Sequence, residues 1–144
     1  MARVTEKITI NADRSTVFAA YTGRIGEWWP WKGTYKYTFA PEGVDPDDLT
    51  MEAGEGGRFF ETWSDGTEHQ IGTVTVWKPT TEVAYTWEVA EWSEPSTVTV
   101  RFVAEGSMTT VIVEHENLPD DETAMGYSVG QKEILGKFAD YVMG

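Results

Sequence analysis

The chain has 144 residues, 40% of them hydrophobic and 13% aromatic, with seven tryptophans; that suits one domain around one core and is too apolar for a disordered segment. Lysine and arginine number 11 against 24 aspartates and glutamates, and the net charge of −13 repels phosphate backbones and anionic lipid surfaces, which excludes nucleic acid as a natural partner. There is no cysteine, which excludes disulfides, thiolate catalysis and cysteine-ligated zinc.

The opening residues Met1-Ala2-Arg3-Val4-Thr5-Glu6-Lys7 lack the apolar stretch of a secretory signal, and no run is long enough to span a bilayer. The expected address is the cytoplasm, without membrane insertion, and the acidic surface reads as a solubility device for a chain rich in Trp and Tyr. From Val4 to Ile10 apolar and polar residues alternate, which predicts a half-buried strand. Asn11 or Asp13 then caps a short helix carrying Val17, Phe18 and Tyr21 and ending at Gly23. A second helical turn from Arg24 to Trp29 stops before Pro30. From Thr34 to Asp48 the alternation of Tyr35, Tyr37 and Phe39 is broken by Pro41, Gly43 and Pro46, which predicts an irregular, lid-like segment.

Six strands follow, over Leu49–Ala53, Arg58–Trp63, His69–Lys78, Glu82–Val89, Ser96–Ala104 and Thr109–Glu116, separated by turn sequences such as Gly56-Gly57, Asp65-Gly66 and Glu105-Gly106. Short strands joined by tight turns make an antiparallel meander. Asp120 or Asp121 caps a long helix from Glu122 to Met143 with Tyr127, Ile134, Leu135, Phe138, Tyr141 and Val142 on one stripe. The concave face of the sheet is the one apolar surface large enough to receive it. The fold class is therefore α+β: a curved antiparallel sheet wrapped around the long C-terminal helix, with two short helices after the first strand and residues 1–144 as a single domain.

That order resembles the helix-grip arrangement of the START-like superfamily. Local strings narrow the resemblance: Ile8-Thr9-Ile10-Asn11-Ala12 with Val17-Phe18-Ala19-Ala20, Ile25-Gly26-Glu27-Trp28-Trp29-Pro30, Gly56-Gly57-Arg58-Phe59-Phe60-Glu61, Trp77-Lys78-Pro79, Val83-Ala84-Tyr85-Thr86-Trp87 and Thr109 to His115 are similar to bacterial proteins that resemble the activator of the heat-shock-90 ATPase. In that family the closing helix usually carries a Gly-Trp pair, and here the matching positions read Gly130-Gln131. An amide in place of a large aromatic either opens the pocket or puts a polar group into it. The resemblance implies a pocket for an apolar ligand of lipid, polyketide or hormone kind, and, through the chaperone in the family's name, a stress-response setting with chaperone contact.

Trp28, Trp29 and Trp31 fall where superfamily members have the pocket mouth, as a stacking wall or as core packing. Strand alternation puts Val83, Tyr85, Trp87 and Val89 on one face, taken as the inner one, and likewise Val111, Val113 and His115. Trp63 and Phe59 share a face with Glu61, which is either an inward general acid or base or an outward carboxylate paired across the sheet with a cation such as Arg101. His115 is placed at the cavity rim, and His69, after a turn, is expected to be exposed. The candidate ligand-binding set is thus Trp28, Trp29, Trp31, Phe59, Glu61, Trp63, Tyr85, Trp87, His115, Tyr127 and Gln131, with Glu61 and His115 as the only catalytic candidates. No spacing supports a metal, and no phosphate-loop or dinucleotide fingerprint calls for a cofactor. The expectation is a non-catalytic binder of a small apolar or aromatic molecule. The alternatives are a cyclase- or dehydratase-like enzyme using a buried Glu or His, and a chaperone co-factor acting through its surface, with a weak homodimer as a further partner.

Overall fold

The alternation at the start of the chain is realised as β1 (Ala2–Ile10) in a computed structural model that describes residues 2–144. Then come α1 (Arg14–Gly23), α2 (Ile25–Trp28), β2 (Pro46–Met51), β3 (Arg58–Trp63), β4 (Glu68–Lys78), β5 (Glu82–Trp87), β6 (Ser96–Glu105), β7 (Met108–Leu118) and α3 (Asp121–Met143). Asp13, not Asn11, caps α1 by accepting from the Thr16 N–H at 3.3 Å, and Asp120 caps α3 by accepting from Thr123 N–H at 2.8 Å. Two strands depart from expectation. β2 begins at Pro46, three residues inside the segment expected to be irregular, and β5 ends at Trp87, so Val89 lies outside the ladder.

The strands form one seven-stranded sheet in the order β1-β7-β6-β5-β4-β3-β2, antiparallel throughout. β2 to β7 run as a meander, and β7 is then flanked by β1, with Val4 opposite His115 and Ile8 opposite Val111. The sheet is curled into a half-barrel around α3, a helix-grip α+β fold.

The two halves of α3 present different side chains to the sheet. The C-terminal half contributes Ile134, Leu135, Phe138 and Ala139, all buried. Phe138 has no solvent exposure and its ring lies 4.6 Å from Trp28 and 5.3 Å from Tyr21. Tyr21 in turn meets Phe102, and Phe18 packs edge-on against Phe102 at 5.2 Å and Trp77 at 5.3 Å. The short helices therefore plug one end of the half-barrel with aromatic rings. The N-terminal half of the helix offers Thr123, Gly126, Tyr127, Gly130 and Gln131. A Cβ built on Gly126 would meet nothing within 4 Å, so this end of the half-barrel is left hollow.

Phe138→Ala should lower unfolding free energy by roughly 3–5 kcal/mol in urea titrations, as expected for a large aromatic removed from a site that cannot collapse. Met125→Ala, at a position 73% exposed on the same helix, should stay within about 0.5 kcal/mol of the parent. Equal effects of the two would contradict the packing described.

Candidate functional site

The hollow end is a cavity of about 350 Å³ between α3, the middle of the sheet and the segment that links α2 to β2. Its sheet wall is Tyr85 and Trp87 of β5, Val98 of β6 and His115 of β7. Its helix wall is Glu122, Thr123, Gly126, Tyr127, Gln131 and Ile134. Trp29 and residues Tyr35 to Phe39 close the third side as a strap. The floor is deep, with Tyr85, Val98 and His115 almost inaccessible, while Tyr35, Lys36 and Glu122 are exposed at the mouth.

The polar groups of the floor have defined roles. Ser96 Oγ donates to the Trp87 carbonyl at 2.7 Å, and a hydroxyl has one proton, so its 2.8 Å contact with His115 Nε2 must run the other way. His115 is therefore the Nε2–H tautomer, and its Nδ1 is a lone-pair acceptor that finds no partner among the described residues. Burial pushes the imidazole down to about 4, which keeps it neutral at pH 7. Tyr127 stands edge-on to His115 at 5.0 Å and accepts from Trp87 Nε1–H at 3.0 Å, leaving its own hydroxyl proton unused among the described residues. Tyr85 and Tyr21 share a buried hydroxyl contact of 2.9 Å, and burial raises both phenols, Tyr21 to about 12. Either hydroxyl can be the donor of that contact. Gln131, 8% exposed, makes no hydrogen bond through its Oε1 among the described residues.

Two carboxylates hold the strap. Glu133 of α3 accepts from Thr34 N–H at 2.8 Å and Thr34 Oγ1–H at 3.2 Å and from the Tyr37 hydroxyl. The Tyr37 hydrogen bond, then that of Thr34, holds the Glu133 carboxyl below its usual range. Close approach is needed here, since a Cβ on Gly33 would meet Glu133 Oε1 at 2.2 Å. At the other end Glu61 Oε1 accepts from Phe39 N–H at 3.0 Å, Thr38 Oγ1–H at 3.1 Å and Trp63 Nε1–H at 2.8 Å.

Trp29, Tyr85, Trp87, His115, Tyr127 and Gln131 of the candidate set line the cavity, and the others are placed elsewhere. Trp28 is core, donating to the Ala20 carbonyl at 2.9 Å, and Trp31 packs half-buried against the core. Phe59 is fully buried behind the wall, 4.7 Å from Tyr85. Glu61 is neither of the expected things: it is buried and committed to the strap, while Arg101 pairs with Glu82 and Glu114. The alternation that placed it fails because the β3–β4 register shifts between Phe59 and Phe60, so Phe59, Phe60 and Glu61 are buried in succession. Trp63 stacks on His69 at 5.3 Å, and Phe39 does so at 5.0 Å, so His69 is half-buried between elements, not exposed. Ile134 and the strap residues were missed as lining. The spacing Tyr127, Gln131, Ile134 would have found the first, and the Tyr35, Tyr37, Phe39 alternation hints at the second. Ser96, which fixes the His115 tautomer, carries no sequence signal.

Among the described residues no group of three or more His, Asp or Glu is placed to hold a metal ion, and no helix is long and apolar enough to cross a membrane.

A family model described as activator of Hsp90 ATPase homolog 1-like protein matches residues 11–143. Among solved structures, the chain is similar to the Aha1 dimer from Colwellia psychrerythraea, with 15% identity, a TM-score of 0.72 and coverage of 99% of this chain and 97% of that one. A protein of the same family from Silicibacter pomeroyi is 20% identical, with a TM-score of 0.70 over 98% of this chain and 97% of that one. Both likenesses speak to the fold. An anthrahydroquino-γ-pyrone synthase, Txn09, complexed with SUM is 28% identical, with a TM-score of 0.56 over 80% of this chain and 76% of that one. No curated protein matches the sequence.

Two measurements test this geometry. The unfolded chain binds a proton at histidine near 6.5 and the folded one only near 4, so His115 contributes stability above about 6.5 that is lost as pH falls toward about 4. The loss should be about 3 kcal/mol, and His115→Phe should remove that part of the pH slope in denaturation curves; an unchanged slope would contradict a neutral, buried imidazole. Glu133→Ala should speed amide exchange of residues 34 to 39 while the sheet amides keep their protection. Unchanged strap exchange would show that the helix does not hold the strap.

Proposed function

The chain belongs to the family of activator of Hsp90 ATPase homolog 1-like proteins, and from that premise we propose that residues 1–144 form a unit binding a small apolar or aromatic ligand between sheet and α3. The observation that carries the reading is the 350 Å³ cavity walled by Trp29, Tyr85, Trp87 and Tyr127 in a helix–sheet interface that is otherwise packed with side chains. A volume of this size is at the small end of ligand pockets, roughly 300–1,000 Å³. Burying some 250 Å² of ligand at about 25 cal/mol per Å² gives roughly 6 kcal/mol before association costs, so hydrogen bonds must add to it for micromolar affinity. The floor has groups suited to that task.

The same floor favours holding over catalysing. The His115 imidazole, at about 4, is a weak base at pH 7, and the phenols of Tyr21 and Tyr85 are raised by burial, so none is matched to proton transfer near neutrality. The Glu61 carboxylate is spent on the strap. A cyclase-like reading has one observation of its own, the likeness to a synthase at 28% identity, and would use His115 Nδ1 and the Tyr127 hydroxyl on a bound ring. The surface readings, a chaperone co-factor or a weak homodimer, draw on the family's name and on the dimer of the Colwellia protein, and neither uses the cavity.

Native mass spectrometry of protein purified without denaturation should find an apolar adduct, and a polycyclic aromatic added to stripped protein should quench the emission of Trp29 and Trp87. Gln131→Trp, which puts an indole where the cavity now lies, should fold and lose both signals. No adduct, and no quenching across polycyclic aromatics and fatty acids, would remove the basis for a binder.

A further inference from the structure

Among the described residues the backbone of the strap bonds only to itself. Tyr37 N–H donates to the Trp31 carbonyl and Gly33 N–H to the Tyr35 carbonyl, both at 3.0 Å, and Lys32 faces Lys36 in an isolated antiparallel bridge. The strap is therefore a small hairpin with its tip at Gly33 to Tyr35. Two paired strands alone are marginal in water, so side chains and not a sheet ladder decide where this one lies.

Those side chains hold the two ends unequally. The base is anchored in buried surroundings: Trp29, 7% exposed, donates Nε1–H to the Tyr37 carbonyl at 2.9 Å, and Glu61, 1% exposed, accepts from Phe39 N–H at 3.0 Å. The Phe39 ring adds contacts with His69 at 5.0 Å and Trp87 at 5.4 Å. The tip is tied to the helix through one carboxylate, that of Glu133, which takes the Thr34 N–H, the Thr34 Oγ1–H and the Tyr37 hydroxyl. Thr34 is exposed and Glu133 half-buried, so water competes for these donors as it cannot at Glu61. The weakly held end is also the one at the entrance, since Tyr35 and Lys36 stand with Glu122 at the mouth. Glu133 itself does not line the cavity, so it acts on an occupant only through the hairpin.

We infer that Glu133 is the latch of a gate: a ligand enters and leaves when residues 32 to 36 swing off α3 on a base fixed by Trp29 and Glu61, and the latch sets how often this happens. This rests on the binding role proposed above and adds control of access to the same site. Glu133 is thus a positioning residue. Weakening a latch raises the share of time the gate is open and speeds passage in both directions, whereas loosening a fixed wall speeds escape and leaves entry alone.

The test uses N-phenylnaphthylamine, an uncharged dye that brightens in apolar surroundings, with association and dissociation followed by stopped-flow fluorescence on the full chain. Glu133→Ala should raise both rate constants at least about fivefold, the effect of losing hydrogen bonds of ordinary strength. Because the base still holds the hairpin closed most of the time, Kd should stay within about twofold of the parent. Glu133→Gln, which keeps an acceptor oxygen without the charge, should give rates between the two. Amide exchange at Thr34 should rise in Glu133→Ala alongside the dye rates, a readout that ties passage to the latch. Unchanged dye rates despite faster Thr34 exchange, or faster dissociation alone with affinity falling in proportion, overturn the gate and leave the binding role standing. A parent protein that takes up no dye overturns both.

Discussion

Phe138 sits where helix, sheet and short helices meet, and its contact with Trp28 and Tyr21 decides where α3 can lie. With that end wedged full, the helix crosses the sheet at a fixed height, and the smaller side chains a turn or more earlier cannot drop in to close the gap. The cavity is thus a by-product of uneven side-chain volume along one helix. Gly126 and Gln131 are as important to it as Phe138, because large residues at those positions would extend the packed core to the mouth.

Much of this could be read from the chain alone, for reasons that are local. β7 alternates, so Val111, Val113 and His115 face inward together; Asp120 stands before the first periodic turn of α3 and caps it. These patterns involve neighbours within one element, and period and capping chemistry report them. The features that escaped are those whose cause lies far away in sequence. Glu61 meets Phe39, and Glu133 meets Thr34 and Tyr37, across long stretches of chain. The register shift in β3 depends on what β4 does opposite it. His69 follows a turn, which is where exposed residues are ordinarily found, and only the arrival of Phe39 and Trp63 encloses it.

Electrostatics divides the protein into two regimes. Outside, carboxylates outnumber cations by more than two to one, and pairs such as Arg58 with Glu52 and Glu68 are solvent-exposed and contribute little each. Inside, the cavity floor carries uncharged polar groups, the His115 imidazole, which burial holds neutral, and the phenol of Tyr85. Between the regimes lie the two carboxylates of the strap, each surrounded by N–H and O–H donors. Such donors can stabilise a carboxylate without a neighbouring cation, so the strap is tied down without an ion pair, and its Lys36 is left at the mouth donating to the Ala40 carbonyl.

The pairing of β1 with β7 carries a consequence for how the molecule is made. Ile8 waits for Val111, and Val4 for His115, so β1 has no partner until β2 to β6 and then β7 have followed it. The meander from β2 to β7 can assemble hairpin by hairpin from near neighbours, but adding β1 at the edge of β7 is a long-range event that comes late and is slow for entropic reasons. Until then the flank of β7 is a bare row of amides and carbonyls beside an uncovered apolar trough, and that interval is when the nascent protein is most exposed to pairing with the wrong chain.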